Sequence, residues 1–182
     1  MLTTIDFEAS CLPVHGRSYP IEVGICDERG ARAWLIRPAP DWAGWDWTAE
    51  AEALHGITRE RLAAEGLPVA RVLGELAAAV HGRRLVADSY LDARWLDTLA
   101  AAAGEPAPAR IEHVEAILSR GGHGDAALIE ACRIADMAVP RRHAAAADAT
   151  WLFTLLESLG ATTEAPLFAW APAAMPAASA LS

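Results

Sequence analysis

The sequence predicts an α/β sandwich built on a mixed five-stranded sheet flanked by helices. Three β-type runs fill residues 2–37, and the last two close on the tight turn Asp27-Glu28-Arg29-Gly30. Beyond them, segments of helical period alternate with two short apolar runs, so the later strands rejoin the sheet through helical crossovers. At 182 residues the chain fits one domain with an ample core.

Taken in order, Leu2 to Phe7 reads as the first strand, and residues 10–18 form a loop marked by Pro13 and Gly16. Tyr19 to Cys26 and Ala31 to Arg37 make the hairpin, which Pro38-Ala39-Pro40 ends. Trp42, Trp45 and Trp47 crowd the next loop, where they either cover the core or offer stacking surfaces for bases. Thr48 N-caps a short helix through Leu54, and Thr58 caps another over 59–64. A helix over 68–81 starts on Pro68 and buries Val69, Val72, Leu73, Leu76 and Val80. Arg83 to Ala87 is a fourth strand. Asp88-Ser89-Tyr90 turns the chain into a helix over 91–103, whose buried stripe is Leu91, Trp95, Leu96 and Leu99. Ile111 to His113 supplies a fifth strand. Helices follow over 114–119 and 125–136, and a last one runs over 144–159 and stops at Gly160. The domain thus occupies residues 1–160. Residues 161–182 form an Ala/Pro-rich tail in which Phe168 and Trp170 are candidate anchors.

Composition narrows the function classes. No apolar run reaches about 18 residues, so no membrane span is expected. The N-terminus enters a strand directly, which is not the pattern of a signal peptide. Cys11, Cys26 and Cys132 have no zinc or redox spacing and read as reduced, small hydrophobes, so a cytoplasmic setting is expected. The net charge of −9 argues against broad binding to duplex nucleic acid. All 15 basic residues are Arg, and the chain holds no Lys, Asn or Gln, the mark of GC-rich coding.

The most informative stretch is Thr4-Ile5-Asp6-Phe7-Glu8-Ala9-Ser10. In a strand, Asp6 and Glu8 project from the same face. Two desolvated like charges repel, so a fold keeps them either on a solvated edge or around a cation. An oxygen-only site suits Mg²⁺ or Mn²⁺. Asp92 and Asp148 are the later acids that could join the pair. Asp92 opens a helix, where the dipole tolerates a carboxylate. His143 and Asp148 are five residues apart, which on a helix leaves them about 140° apart. For both to serve one site, His143 must precede the helix, on the loop after Pro140. There it is either a surface residue beside Arg141 and Arg142 or a general base with reach to a water.

Asp6-Phe7-Glu8-Ala9-Ser10, Asp92 within Leu91-Asp92-Ala93-Arg94-Trp95-Leu96, and His143 five residues before Asp148 together resemble the DEDDh 3′–5′ exonuclease superfamily. Tyr19-Pro20-Ile21-Glu22-Val23-Gly24, Leu54-His55-Gly56-Ile57-Thr58 and Arg84-Leu85-Val86-Ala87 are similar to its supporting segments, so the resemblance covers about residues 1–159. It implies a ribonuclease H-like fold and hydrolysis of phosphodiester bonds from a 3′ end. The substrate would be single-stranded DNA or RNA, or a short oligonucleotide. Asp6, Glu8, Asp92 and Asp148 would hold two Mg²⁺ or Mn²⁺ ions. His143 would take a proton from the attacking water. Ala9 and Leu12 would line the 3′-terminal nucleotide, and Leu54 and His55 would abut its base or sugar. Relatives that dimerise make a homodimer an option.

The chain departs from the pattern at one point: many relatives carry His-Asn where Ala87-Asp88 stands here, which puts another negative charge near the substrate path. Arg17, Arg94, Arg141 and Arg142 are either phosphate contacts or solvated surface. Two alternatives stay open: a nucleic-acid-binding module of the same fold with weak turnover, and a phosphodiesterase acting on small nucleotides.

Overall fold

The structure, a computed structural model, describes residues 1–163. Five strands form one sheet in the order β3-β2-β1-β4-β5. They are β1 (Leu2–Ala9), β2 (Pro20–Asp27), β3 (Gly30–Leu35), β4 (Arg84–Ala87) and β5 (Ile111–His113). The meander β1-β2-β3 is antiparallel, and β4 and β5 add in parallel to β1. The described residues also hold seven α-helices: α1 (Ala49–His55), α2 (Arg59–Glu65), α3 (Val69–Val80), α4 (Leu91–Ala103), α5 (Val114–Gly121), α6 (Asp125–Ala138) and α7 (Ala145–Ser158). This is a ribonuclease H-like α/β fold, the class that the sequence predicts.

Most predicted elements stand within two residues of their expected ends. β1 runs on to Ala9, so Glu8 lies inside the strand. The third strand stops at Leu35, and Ile36 instead bridges Leu67 in the loop before α3. Pro68 is the residue that caps α3 and not its first turn. Thr48 and Thr58 cap α1 and α2, accepting hydrogen bonds from the Ala51 and Arg61 N–H groups.

The alternation along β1 splits the core into two layers. Ile5 and Phe7 face a cluster with Val23, Leu85, Leu76, Trp95 and Leu96, covered by α3, α4 and the loop before α1. Leu2 faces the other way, with Cys26 and Val86, against Ile117, Ala135, Leu152 and Leu156 of α5, α6 and α7. Thr4, on that same side, donates its hydroxyl to the Ala149 carbonyl at 2.6 Å and ties α7 to the central strand.

The tryptophan loop covers the core, and each of its three indoles is engaged with a neighbour. Trp42 is buried and stacks on Tyr19 with ring centroids 5.2 Å apart. Trp45 is half-buried beneath the Arg17 guanidinium, and Trp47 donates its indole N–H to Glu52 at 2.7 Å. The proposed anchors Phe168 and Trp170 lie outside the described residues.

One glycine decides how close α7 can come. A Cβ on Gly24 of β2 would lie 2.1 Å from the Ala145 carbonyl carbon, at the first residue of α7. Only a residue without a side chain lets that helix start press on the sheet.

Candidate metal centre and substrate cavity

The site forms where β1 and β4 end and where α4 and α7 begin. In open α/β sheets this carboxyl end is where ligands collect. β1 presents Asp6 and Glu8 on the α7 side of the sheet, as the two-residue period requires. The pairing with β2 shifts register between Glu8 and Ala9, a bulge that bends the strand just past the acids. Asp92 arrives in the first turn of α4 and Asp148 in the first turn of α7, so both carboxylates sit at positive helix ends.

These acids converge as two overlapping trios. In one, a carboxylate oxygen from each of Asp6, Glu8 and Asp148 lies within 4.8 Å of the others. In the second, Asp6, Asp88 and Asp92 do the same. At such a separation and an effective dielectric of about 20, each pair of full charges repels by roughly 3 kcal/mol. The acids respond by holding protons. Burial, then Asp92 and Glu8, push Asp6 up to about 9. Burial and the neighbouring Asp148 raise Glu8 to about 7, and burial with Asp88 raises Asp92 to about 8.

The hydrogen bonds anchor some of these oxygens and leave others free. Asp92 is only 2% exposed, and its Oδ1 accepts from the Phe7 N–H at 3.1 Å, across from strand to helix. Its Oδ2 is buried with no hydrogen-bond partner among the described residues. A buried carboxylate oxygen left bare is costly unless a cation completes it. All-oxygen donors, two trios sharing one acid and an orphaned buried oxygen fit a pair of hard divalent ions.

Asp148 is held differently. Its Oδ2 accepts from the His143 N–H at 2.7 Å, and its Oδ1 pairs with Arg142. Arg142 also lies over the Trp151 ring, 4.3 Å from its centre. His143 has φ +68°, a left-handed backbone that a β-carbon disfavours, and its side chain is exposed. His143 therefore precedes α7, as the spacing argument requires, but it reaches Asp148 through its backbone and not its imidazole.

Beside the carboxylates lies a cavity of about 280 Å³. Asp6, Glu8 and Asp92 form one wall, and Ala9, Leu12, Leu54 and His55 line the rest together with His15 and Glu50. Leu12 and Leu54 are more than half exposed, an apolar pair at the rim. His55 accepts from the Ile57 N–H through Nδ1 at 3.0 Å, and burial lowers its pKa below the usual histidine value. All four residues expected to touch substrate thus meet in one cavity.

Of the candidate phosphate contacts, Arg142 alone meets an acid of the site in this arrangement. Arg17 covers Trp45, and Arg94 lines a separate hollow with Asp41 and Trp42. Two residues take parts that the sequence reading did not give them. Glu22, paired across β1–β2 with Glu8, accepts from the Ala145 N–H at 2.9 Å and caps α7 from the sheet. Asp88, singled out as an extra charge, sits inside the second trio. The signal for Glu22 was present: it shares a strand face with Gly24, where α7 must pass.

The sequence matches no protein-family model and no curated protein. Similarity appears in the fold. One similar solved structure is a 3′-exonuclease described for 3′-end-specific recognition of a histone mRNA stem-loop, at TM-score 0.65 and 14% identity, covering 88% of this chain and 83% of that one. Another is E. coli exonuclease I in complex with a dT13 oligonucleotide, at TM-score 0.57 and 13% identity over 90% of this chain. A third is exonuclease I from Methylocaldum szegediense, at TM-score 0.53 and 16% identity over 86% of this chain. This chain spans 41% and 40% of the length of those two exonuclease I chains. By its sheet order, its helices and these neighbours, the chain has the ribonuclease H-like fold seen in these exonuclease structures.

Proposed function

We propose that this chain is a metal-dependent 3′–5′ exonuclease of the DEDDh type, acting on single-stranded DNA or RNA or on short oligonucleotides. The observation that carries the reading is the pair of carboxylate trios, joined at Asp6 and opening onto a cavity with room for one terminal nucleotide. Asp6, Glu8 and Asp148 would hold one Mg²⁺ or Mn²⁺, and Asp6 with Asp92 a second. When bound, such ions supply Lewis acidity and neutralise charge gathering on the phosphodiester. The chain's own residues do the rest. Ala9 and Leu12 line the 3′-terminal nucleotide, and Leu54 and His55 abut its base or sugar. His143 acts as the general base toward the attacking water, its backbone already tied to Asp148 and its side chain exposed to solvent.

The net charge of −9 supports short or single-stranded substrates over long duplexes, since little of the surface can draw a dense phosphate backbone. The test is a 3′-labelled 20-mer, as matched RNA and DNA, incubated with Mg²⁺ or Mn²⁺. Release of labelled mononucleotide, abolished by Asp6→Ala, is the expected result. Turnover that persists in Asp6→Ala would sink the assignment. Faster turnover of a dinucleotide than of the 20-mer would turn the reading toward a small-nucleotide phosphodiesterase.

A further inference from the structure

We infer that Asp88 is a ligand of the second cation, so that this site holds its ion with three carboxylates, Asp6, Asp88 and Asp92. The inference rests on the two-ion reading above and deepens it. Its basis is the placement of oxygens. An oxygen of Asp88 lies within 4.8 Å of one on Asp6 and one on Asp92. Ligands about 2.1 Å from one Mg²⁺ stand up to about 4.2 Å apart across it, so a small side-chain rotation closes the trio on an ion. The independent sign of a ligand is the Asp92 Oδ2, buried and bare at the same place. A cation there satisfies it.

The turn from β4 to α4 is built to hold Asp88 in position. His113, in β5, accepts from the Glu115 N–H through Nδ1 at 3.3 Å, which leaves its ring proton on Nε2. That nitrogen stands 3.0 Å from the Asp88 carbonyl oxygen and donates to it. Tyr90 stacks on the His113 ring with centroids 3.8 Å apart and donates its hydroxyl to Glu115 at 3.2 Å. Ser89 Oγ accepts from the Leu91 N–H at 3.1 Å and starts the helix. The backbone at Asp88 is thus pinned on both sides, while its side chain stays exposed with an oxygen near those of Asp6 and Asp92. The consequence is chemical. A charged oxygen donor in place of a neutral amide raises affinity for a divalent ion.

The test is calorimetric titration of the full chain with MnCl₂ in the absence of substrate, alongside Asp88→Asn and Asp148→Asn. The wild type is expected to bind two ions. Asp88→Asn, which keeps the shape and removes the charge, should weaken one of them about 10- to 100-fold and leave the other unchanged. Asp148→Asn should weaken the other ion instead. Without metal, Asp88→Asn should melt no lower than the wild type, because it removes a repelling charge from the trio. Two ions bound with unaltered affinities in Asp88→Asn would overturn the role of Asp88 and leave the two-ion reading standing. A wild type that binds fewer than two ions would overturn both.

Discussion

The two halves of the site are built on opposite terms. The strand half, Asp6 and Glu8 with Asp92 beside them, is fixed by the sheet and by the Phe7 N–H bond to Asp92. Its carboxylates are desolvated and pushed up to between about 7 and 9. The loop half, residues 139–144 with Asp148, has no regular structure before α7 and is already neutralised by Arg142. The difference shows where a fold can afford unfavourable charge. The ladder to β2 and the Phe7 N–H bond to Asp92 hold repelling acids in place, whereas His143 stands on an exposed segment where an imidazole can exchange protons with solvent.

The sharpest way to break this comparison is His143→Ala. Loss of the proposed general base should lower turnover about 10²- to 10⁴-fold, while calorimetry with Mn²⁺ still shows the metal affinities of the wild type. A fall in metal affinity of the same size would mean that His143 serves Asp148 alone. Next is Gly24→Ala, which drives a methyl into the Ala145 backbone. Displacing α7 by about 1 Å should cost about 10²-fold in turnover and roughly 1–3 kcal/mol in unfolding free energy. Wild-type activity and melting would show that α7 tolerates a looser seat. Glu22→Gln keeps an acceptor for the Ala145 N–H but removes the charge facing Glu8. It should change turnover by about 10-fold or less, and a larger loss would move Glu22 into the metal site itself.

The smallest effect is the pH dependence of the metal-free protein. Asp6, Glu8 and Asp92 titrate higher folded than unfolded, so the native state binds more protons between about pH 4 and their raised values. Their contribution to stability is full at the acidic end of that window and falls as pH rises through about 7 to 9. Melting temperature should therefore drop from pH 6 to pH 9, and Mg²⁺ or Mn²⁺ should restore it. A flat profile without metal would mean that Asp6, Glu8 and Asp92 titrate alike in the folded and unfolded chain.

Much of this architecture follows from local sequence. The period of two in β1 put Asp6 and Glu8 on one face. Thr48 and Thr58 marked helix starts, and the spacing from His143 to Asp148 required a loop before the helix. These are short-range effects of backbone geometry and capping, and the residues that cause them lie within a few positions of one another. Tertiary structure alone decided the rest. It brought Asp88 into a trio with Asp6 and Asp92, paired Arg142 with Asp148, set Glu22 against the start of α7 and turned the tryptophan loop onto the core. Each of these contacts joins elements that meet through the sheet or through the packing of a helix on it. Their distances depend on how closely those elements press together, as at Gly24, and no local pattern of residues carries that information.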